Sequence, residues 1–414
     1  MRPVLMIAYL FPPAGGGGVQ RTLGFVKHLP RHGWRPIVVA ADQPRYWAKD
    51  ESLLADIPPE AEVHRISDPG WLRPLDLFRR FLPGEVRQAL DGLAYVPDRQ
   101  VGWLPMAFPQ ALLLARRHHV EAIFSTSTPY TDHLLGLALS RALKKPWVAD
   151  FRDPWTQNQT FHAATPAHHT AHLALERLVY RHADLIIANT ALNRSALYRD
   201  FPETREKTIH LPNGYDEDDY RGLVLPKRKP PPWVLGYAGS FYPGYGPEPL
   251  FTLLETLRRL EPNLASQVGL RFFGQTGAMN VPEWLRPRTQ VFGYLEKAQA
   301  IAGLGDCDGS LVLVPTDVSP SGWVPQKLYQ ALRLGRPILA LVPEGEVASL
   351  VRAAGGGSLA LDPTAQDAAP TLARWLRARI EGPGGPLDAT VVGRFDRARL
   401  SQTLAENLDR LTRG

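Results

Sequence analysis

Four consecutive glycines, Gly15, Gly16, Gly17 and Gly18, separate an apolar run ending in Phe11-Pro12-Pro13 from a stretch with helical spacing. Bare backbone at the mouth of a helix lets N–H groups and the positive helix end approach an anion closely. A phosphate or an acceptor hydroxyl fits that geometry; a flexible loop after a strand is the plainer alternative. The pattern is not G-x-G-x-x-G, because the last glycine would fall on Gln20 or Arg21, and no phosphate-loop Lys-Ser/Thr pair follows. Two further stretches carry chemistry. In STSTPYTDHLLG (125–136) a strand end delivers Pro129 and then His133 at the start of a helix. A histidine there can touch a sugar hydroxyl or a charged leaving group, or merely hold a neighbouring loop. In PWVADFRDPW (146–155) a strand ends on Asp150, Arg152 and Asp153. Three charges at the end of a buried strand are costly unless they bind something or pair, as a structural Asp–Arg bridge would.

The elements that must position these residues alternate along the whole chain. Apolar strand-like runs fall at 4–10, 36–41, 121–126, 146–151, 184–189 and 207–213, then at 233–239, 270–274, 289–294, 309–314, 337–342 and 357–361. Helical patterns lie between them, such as Val19, Leu23, Val26 and Leu29 on one face. Near-continuous apolar strands separated by helices predict parallel sheets covered on both faces. The proline-rich stretch 222–232 reads as a linker. The expected fold class is therefore α/β, with a Rossmann-like domain at 1–221, a second at 233–393, and a terminal amphipathic helix at 394–414 packing back on the first. Ligands of such sheets bind beyond the carboxyl ends of the strands, which predicts a cleft between the domains.

Composition narrows the partners. The chain of 414 residues has 47 basic and 41 acidic side chains, a formal charge of +6, and no long Lys/Arg block, which argues against nucleic acid. A single cysteine, Cys307, excludes an internal disulfide and reads as a small buried residue in a reducing compartment. Only seven apolar or aromatic residues precede Phe11-Pro12-Pro13, too few for a signal peptide, and no run approaches a membrane span. The expectation is a cytoplasmic protein.

FPP-GGG-x-x-R, VPD followed by Trp103, STP-x-x-x-H, PWVADFRDPW, LPNG (211–214), YAGSFY (237–242) and P-x-KLYQAL-x-x-G-x-PIL (325–339) together resemble a bacterial retaining glycosyltransferase of the GT-B fold, family four-like, over essentially the whole chain. The resemblance implies that Gly15–Gly18 approach the donor diphosphate and the acceptor. His133, Asp150, Arg152 and Asp153 would form the catalytic side, facing the transferred sugar, with Arg21 and Trp155 toward the acceptor. The second domain would hold the nucleotide through Ser240, Lys327 and Gln330, with Gly293 and Tyr294 near the base. It implies no cofactor and no metal, with catalysis by positioning and electrostatic stabilisation. The partners would be a nucleotide-sugar donor and a glycan or polyprenyl-linked acceptor, in cell-surface polysaccharide or glycoconjugate synthesis. A nucleotide-sugar epimerase of the same fold and a non-catalytic binding homologue are the alternatives.

The departures from that pattern are specific. The family's two glutamates fall on Gly322 and Gln330, and its arginine and lysine after the first strand of the nucleotide domain fall on Ser240 and Tyr245. Lys327, at the expected start of a helix, is the cation left for the diphosphate. Elsewhere, WLRPLDLFRRFLPGEVRQAL (71–90) interleaves aromatics and arginines, as a segment lying on anionic lipid at the inner membrane face would, or a domain face with snorkelling arginines. His162, His168, His169 and His172 cluster after DFRDPW. His168 and His172 share a helical face suited to zinc, yet no cysteine or defined third ligand accompanies them, so a structural or loop role is expected.

Overall fold

Each half of the chain builds one parallel sheet. The computed structural model describes all residues except 43, 45–48, 71–80, 85, 87–94, 159–160, 227–230, 242–244, 278, 316–321, 383 and 414. Two compact units result, Met1–Pro212 with the chain from Ala398 onward, and Asn213–Arg397.

In unit 1 the strands are β1 (Arg2–Ile7), β2 (Trp34–Asp42), β3 (Glu62–Ser67), β4 (Ala122–Ser127), β5 (Trp147–Phe151), β6 (Leu185–Ala188) and β7 (Thr208–His210). Their order is β3-β2-β1-β4-β5-β6-β7, and every pairing is parallel. The apolar runs are continuous because alternate residues feed two cores. Leu5, Ile7, Ile37, Val39 and Ile123 enter one, while Val4, Met6, Val38, Ala40 and Phe124 enter the other. Helices α1 (Gly17–His28), α2 (Leu104–Arg117), α3 (Thr131–Leu143), α4 (Pro166–His182) and α5 (Ala191–Asp200) complete the unit.

Unit 2 has β8 (Trp233–Ala238), β9 (Val268–Phe273), β10 (Thr289–Val291), β11 (Gly309–Leu313), β12 (Ile338–Leu341) and β13 (Leu359–Leu361), in the order β10-β9-β8-β11-β12-β13. Its main helices are α6 (Glu248–Leu260), α7 (Lys297–Gly305), α8 (Gln326–Leu334), α9 (Glu346–Ala354) and α10 (Ala368–Glu381). The last helix, α11 (Arg397–Arg413), belongs to unit 1. Its Leu400, Leu404, Ala405 and Leu408 enter the Val4/Met6 core, and Asp409 accepts hydrogen bonds from Arg2 (2.9 Å) and Trp34 Nε1 (3.0 Å).

Both sheets are doubly wound, so each has a switch point where strand order reverses: β1/β4 in unit 1 and β8/β11 in unit 2. The chain passes between units at Pro212–Asn213, ahead of the expected linker at 222–232. The physical reason is that 213–221 already pack on unit 2. Tyr215 pairs with the 395–397 segment through Tyr215 N–Phe395 O and Arg397 N–Tyr215 O, both 2.9 Å, and Tyr220 lies under Arg333. Among the described residues no helix is long and apolar enough to cross a membrane. Most of the expected lipid-facing segment 71–90 lies outside the described residues.

Candidate active site

The unit 1 switch point gathers the glycine loop and the DFRDPW arginine. Gly16 precedes α1 with φ +93, a conformation that favours glycine, and it offers no side-chain cap. The first turn of α1 has no acidic residue, so its N–H groups and positive end are left for an anion from elsewhere. Gly18 lacks a side chain for a second reason: a Cβ there would fall 1.2 Å from Arg152 Nη1. Arg152 thus lies across the first turn of α1, donating to Thr128 Oγ1 (2.9 Å) and Asp153 Oδ2 (3.2 Å). The glycine loop and the Arg152–Asp153 pair thus meet at one mouth.

Arg21 and Asp150 do not join it as ligand groups. They form a buried ion pair, with Arg21 Nη2 2.7 Å from Asp150 Oδ1 and side-chain exposures of 2% and 0%. Thr126 donates to Asp150 (2.8 Å), and Arg21 also donates to the Leu211 and Pro212 carbonyls, each at 2.8 Å. The pair ties α1 to β5 and to the residues after β7. Trp155 is likewise placed in the core rather than toward an acceptor. It is fully buried, stacked on Tyr130 at 4.6 Å, with Nε1 donating to His172 Nδ1 (3.0 Å). His168 and His172 are buried, against Thr165 and Trp155 respectively, while His162 and His169 are exposed.

His133 is fully buried behind the mouth, against Phe151. Trp147 Nε1 donates to Ser125 Oγ (2.8 Å), which lies 2.8 Å from His133 Nδ1; a Ser125 hydroxyl donating to Nδ1 leaves the ring proton on Nε2. Burial lowers the His133 pKa to about 3, so the ring stays neutral and acts as a hydrogen-bond donor rather than a titrating acid. Its Nε2 has no partner among the described residues, and neither do the buried Ser127 Oγ and Asp132 Oδ1. Burial raises the Asp132 pKa, while Tyr9 N donates to its other oxygen (2.9 Å). Three unsatisfied polar atoms at one strand–helix junction are uncommon in a finished core and common where a ligand completes the bonding. Ser127 and Asp132 escape sequence reasoning, because small polar residues beside a helix start read as caps.

At the unit 2 switch point, Lys327 in the first turn of α8 reaches back to the loop after β8. Its Nζ donates to the Tyr237 hydroxyl and to the Tyr245 hydroxyl (2.8 Å), and it lies 4.2 Å and 5.0 Å from the centres of those rings. Tyr245 in turn donates to Leu313 O (2.9 Å) at the end of β11. Gly239 lies over the amine, where a Cβ would approach Nζ to 3.0 Å. Burial lowers the Lys327 pKa to about 7, with no carboxylate among the described residues to hold it up. Ser240 follows on the same loop, and Gln330 stands one turn along α8 on the face of Lys327. Gly293 (φ +70) and Tyr294, half exposed, lie after β10 at the sheet edge, beside Phe292 stacked on Phe273 at 4.9 Å. They share the carboxyl end of the sheet with Lys327 but stand at its far strand.

Residues 15–219, just under half of the chain, match the model of Glycosyltransferase Family 4. No curated protein matches the sequence. Among solved structures, Anabaena Alr3699/HepE in complex with UDP and glucose is 17% identical over 99% of this chain and 100% of its own, with a TM-score of 0.60. A glycosyltransferase from Rickettsia africae is 12% identical over 99% and 98%, TM-score 0.61. Sucrose-phosphate synthase from Thermosynechococcus elongatus is 15% identical over 100% and 96%, TM-score 0.58. These solved structures share the two-domain α/β fold of this chain, the GT-B fold, over its length.

Proposed function

We propose that this protein moves a sugar from a nucleoside-diphosphate donor to a glycan or lipid-linked acceptor, with retention and without a metal in the transfer step. Unit 2 holds the nucleotide end, with Lys327 at the diphosphate and Gln330 at the ribose. Unit 1 supplies the sugar and acceptor side through the glycine loop, Arg152, Asp153 and the His133 Nε2–H. The observation that carries this reading is Lys327 held by two phenols, with no carboxylate partner among the described residues. An amine with neutral partners has no counter-charge until an anion arrives, and negative charge develops on the leaving diphosphate. The UDP in the Anabaena structure supports the donor class.

No enzymic nucleophile is invoked. The neutral His133 donates to a sugar hydroxyl, while the departing phosphate oxygen takes the acceptor's proton as the new glycosidic bond forms on the same face. Thermal-shift screening against UDP-, GDP-, ADP- and TDP-sugars, followed by turnover with varied acceptors, tests the proposal. Stabilisation by one donor with product formation is expected. Stabilisation without turnover would make the chain a binding module, and conversion of the donor alone an epimerase.

A further inference from the structure

At the amino-terminal ends of β2 and β3, opposite the glycine loop, three side chains converge that the transfer chemistry does not use. Glu62 and His64 stand two apart on β3 and so share a face, and His118 caps the end of α2. We propose that Glu62, His64 and His118 bind a divalent ion of the zinc class, stapling the edge strand β3 to the end of α2.

The distances fit an ion better than hydrogen bonds. Ligand atoms held at about 2.0–2.1 Å from a tetrahedral zinc stand about 3.3–3.4 Å apart. His64 Nε2 and His118 Nε2 each lie 3.4 Å from Glu62 Oε2, and all three ligand atoms fall within 4.8 Å of one another. That separation is long for a charged hydrogen bond, and His64 Nε2 is buried with no hydrogen-bond partner among the described residues. The side chains are 12–39% exposed, which leaves an entry path and a fourth position for water. β3 is also the outermost strand of its sheet, where an unpaired edge gains from a clamp.

Arg35 opposes the ion and makes the proposal testable in two directions. It donates to Glu62 Oε1 (3.0 Å), leaving Oε2 for the metal, but also to His118 Nδ1 (3.1 Å). Metal on Nε2 requires the ring proton to move to Nδ1, so Arg35 must release the imidazole while keeping the carboxylate. Chelator-stripped full-length protein is titrated with Co²⁺ and followed by its visible absorption, then back-titrated with Zn²⁺. The expected result is one tetrahedral Co²⁺ per chain, displaced by Zn²⁺, abolished in His64→Ala and His118→Ala, and several-fold tighter in Arg35→Met. His168→Ala/His172→Ala should leave it unchanged. Absence of stoichiometric binding in the wild type, survival of binding in a His64→Ala/His118→Ala double variant, or its loss with His168 and His172 would each overturn the site. The tightening in Arg35→Met cannot arise from misfolding.

Discussion

The two switch points handle charge in opposite ways. In unit 1 the buried cation Arg21 is paired with Asp150, and both are sealed from water. In unit 2 Lys327 is enclosed by phenols and a glycine backbone, with no carboxylate against it among the described residues. A buried pair contributes position, since each charge is already answered. A buried amine with neutral partners contributes readiness, since a diphosphate is the stronger partner it lacks. Residue type alone therefore does not separate a catalytic cation from a structural one; the partner does.

The sharpest way to break this comparison is to exchange the cations' fates. Lys327→Met should fold normally and lose about 10²–10³-fold in kcat, as when one preorganised donor to developing charge is removed; a loss of only a few-fold would place the diphosphate elsewhere. Asp150→Ala should act through stability instead, costing about 3–5 kcal/mol in denaturant unfolding by stranding Arg21, whereas Arg21→Met/Asp150→Leu should recover most of it. If Asp150→Asn proved stable but inactive, the pair would be catalytic after all. The pH profile sharpens the point: kcat/KM should fall above about 7, where Lys327 loses its proton, and Lys327→Arg should move that limb upward. The smallest effect is expected for Gly18→Ala. The new methyl meets only the movable end of Arg152, so stability should hardly change while the donor KM rises a few-fold.

Much of this was legible in the sequence. Every strand except β3 falls within a mainly apolar run there, because most of them are buried on both faces. Glu-Val-His-Arg-Ile-Ser hides β3, an edge strand with one buried residue, Ile66, and that same strand carries two of the proposed metal ligands. Gly15–Gly18, Arg152 and Lys327 are legible from their place after strands or at helix starts. Trp155 is not, because an aromatic beside charged residues looks like a sugar platform until Tyr130 is found stacked on it. Nor is the role of Tyr245, which stands where a lysine is expected and instead holds one contributed by α8.

Calorimetry of nucleoside-diphosphate binding at pH 8, repeated in buffers of different ionisation enthalpy, tests the role of Lys327 most directly. The probe is whichever of UDP, GDP, ADP or TDP gives the largest thermal shift. With the amine's pKa near 7 in the free protein, binding should draw close to one proton into the wild type and none into Lys327→Arg. Equal proton uptake in both, or none in the wild type, would contradict the assignment of Lys327 to the diphosphate.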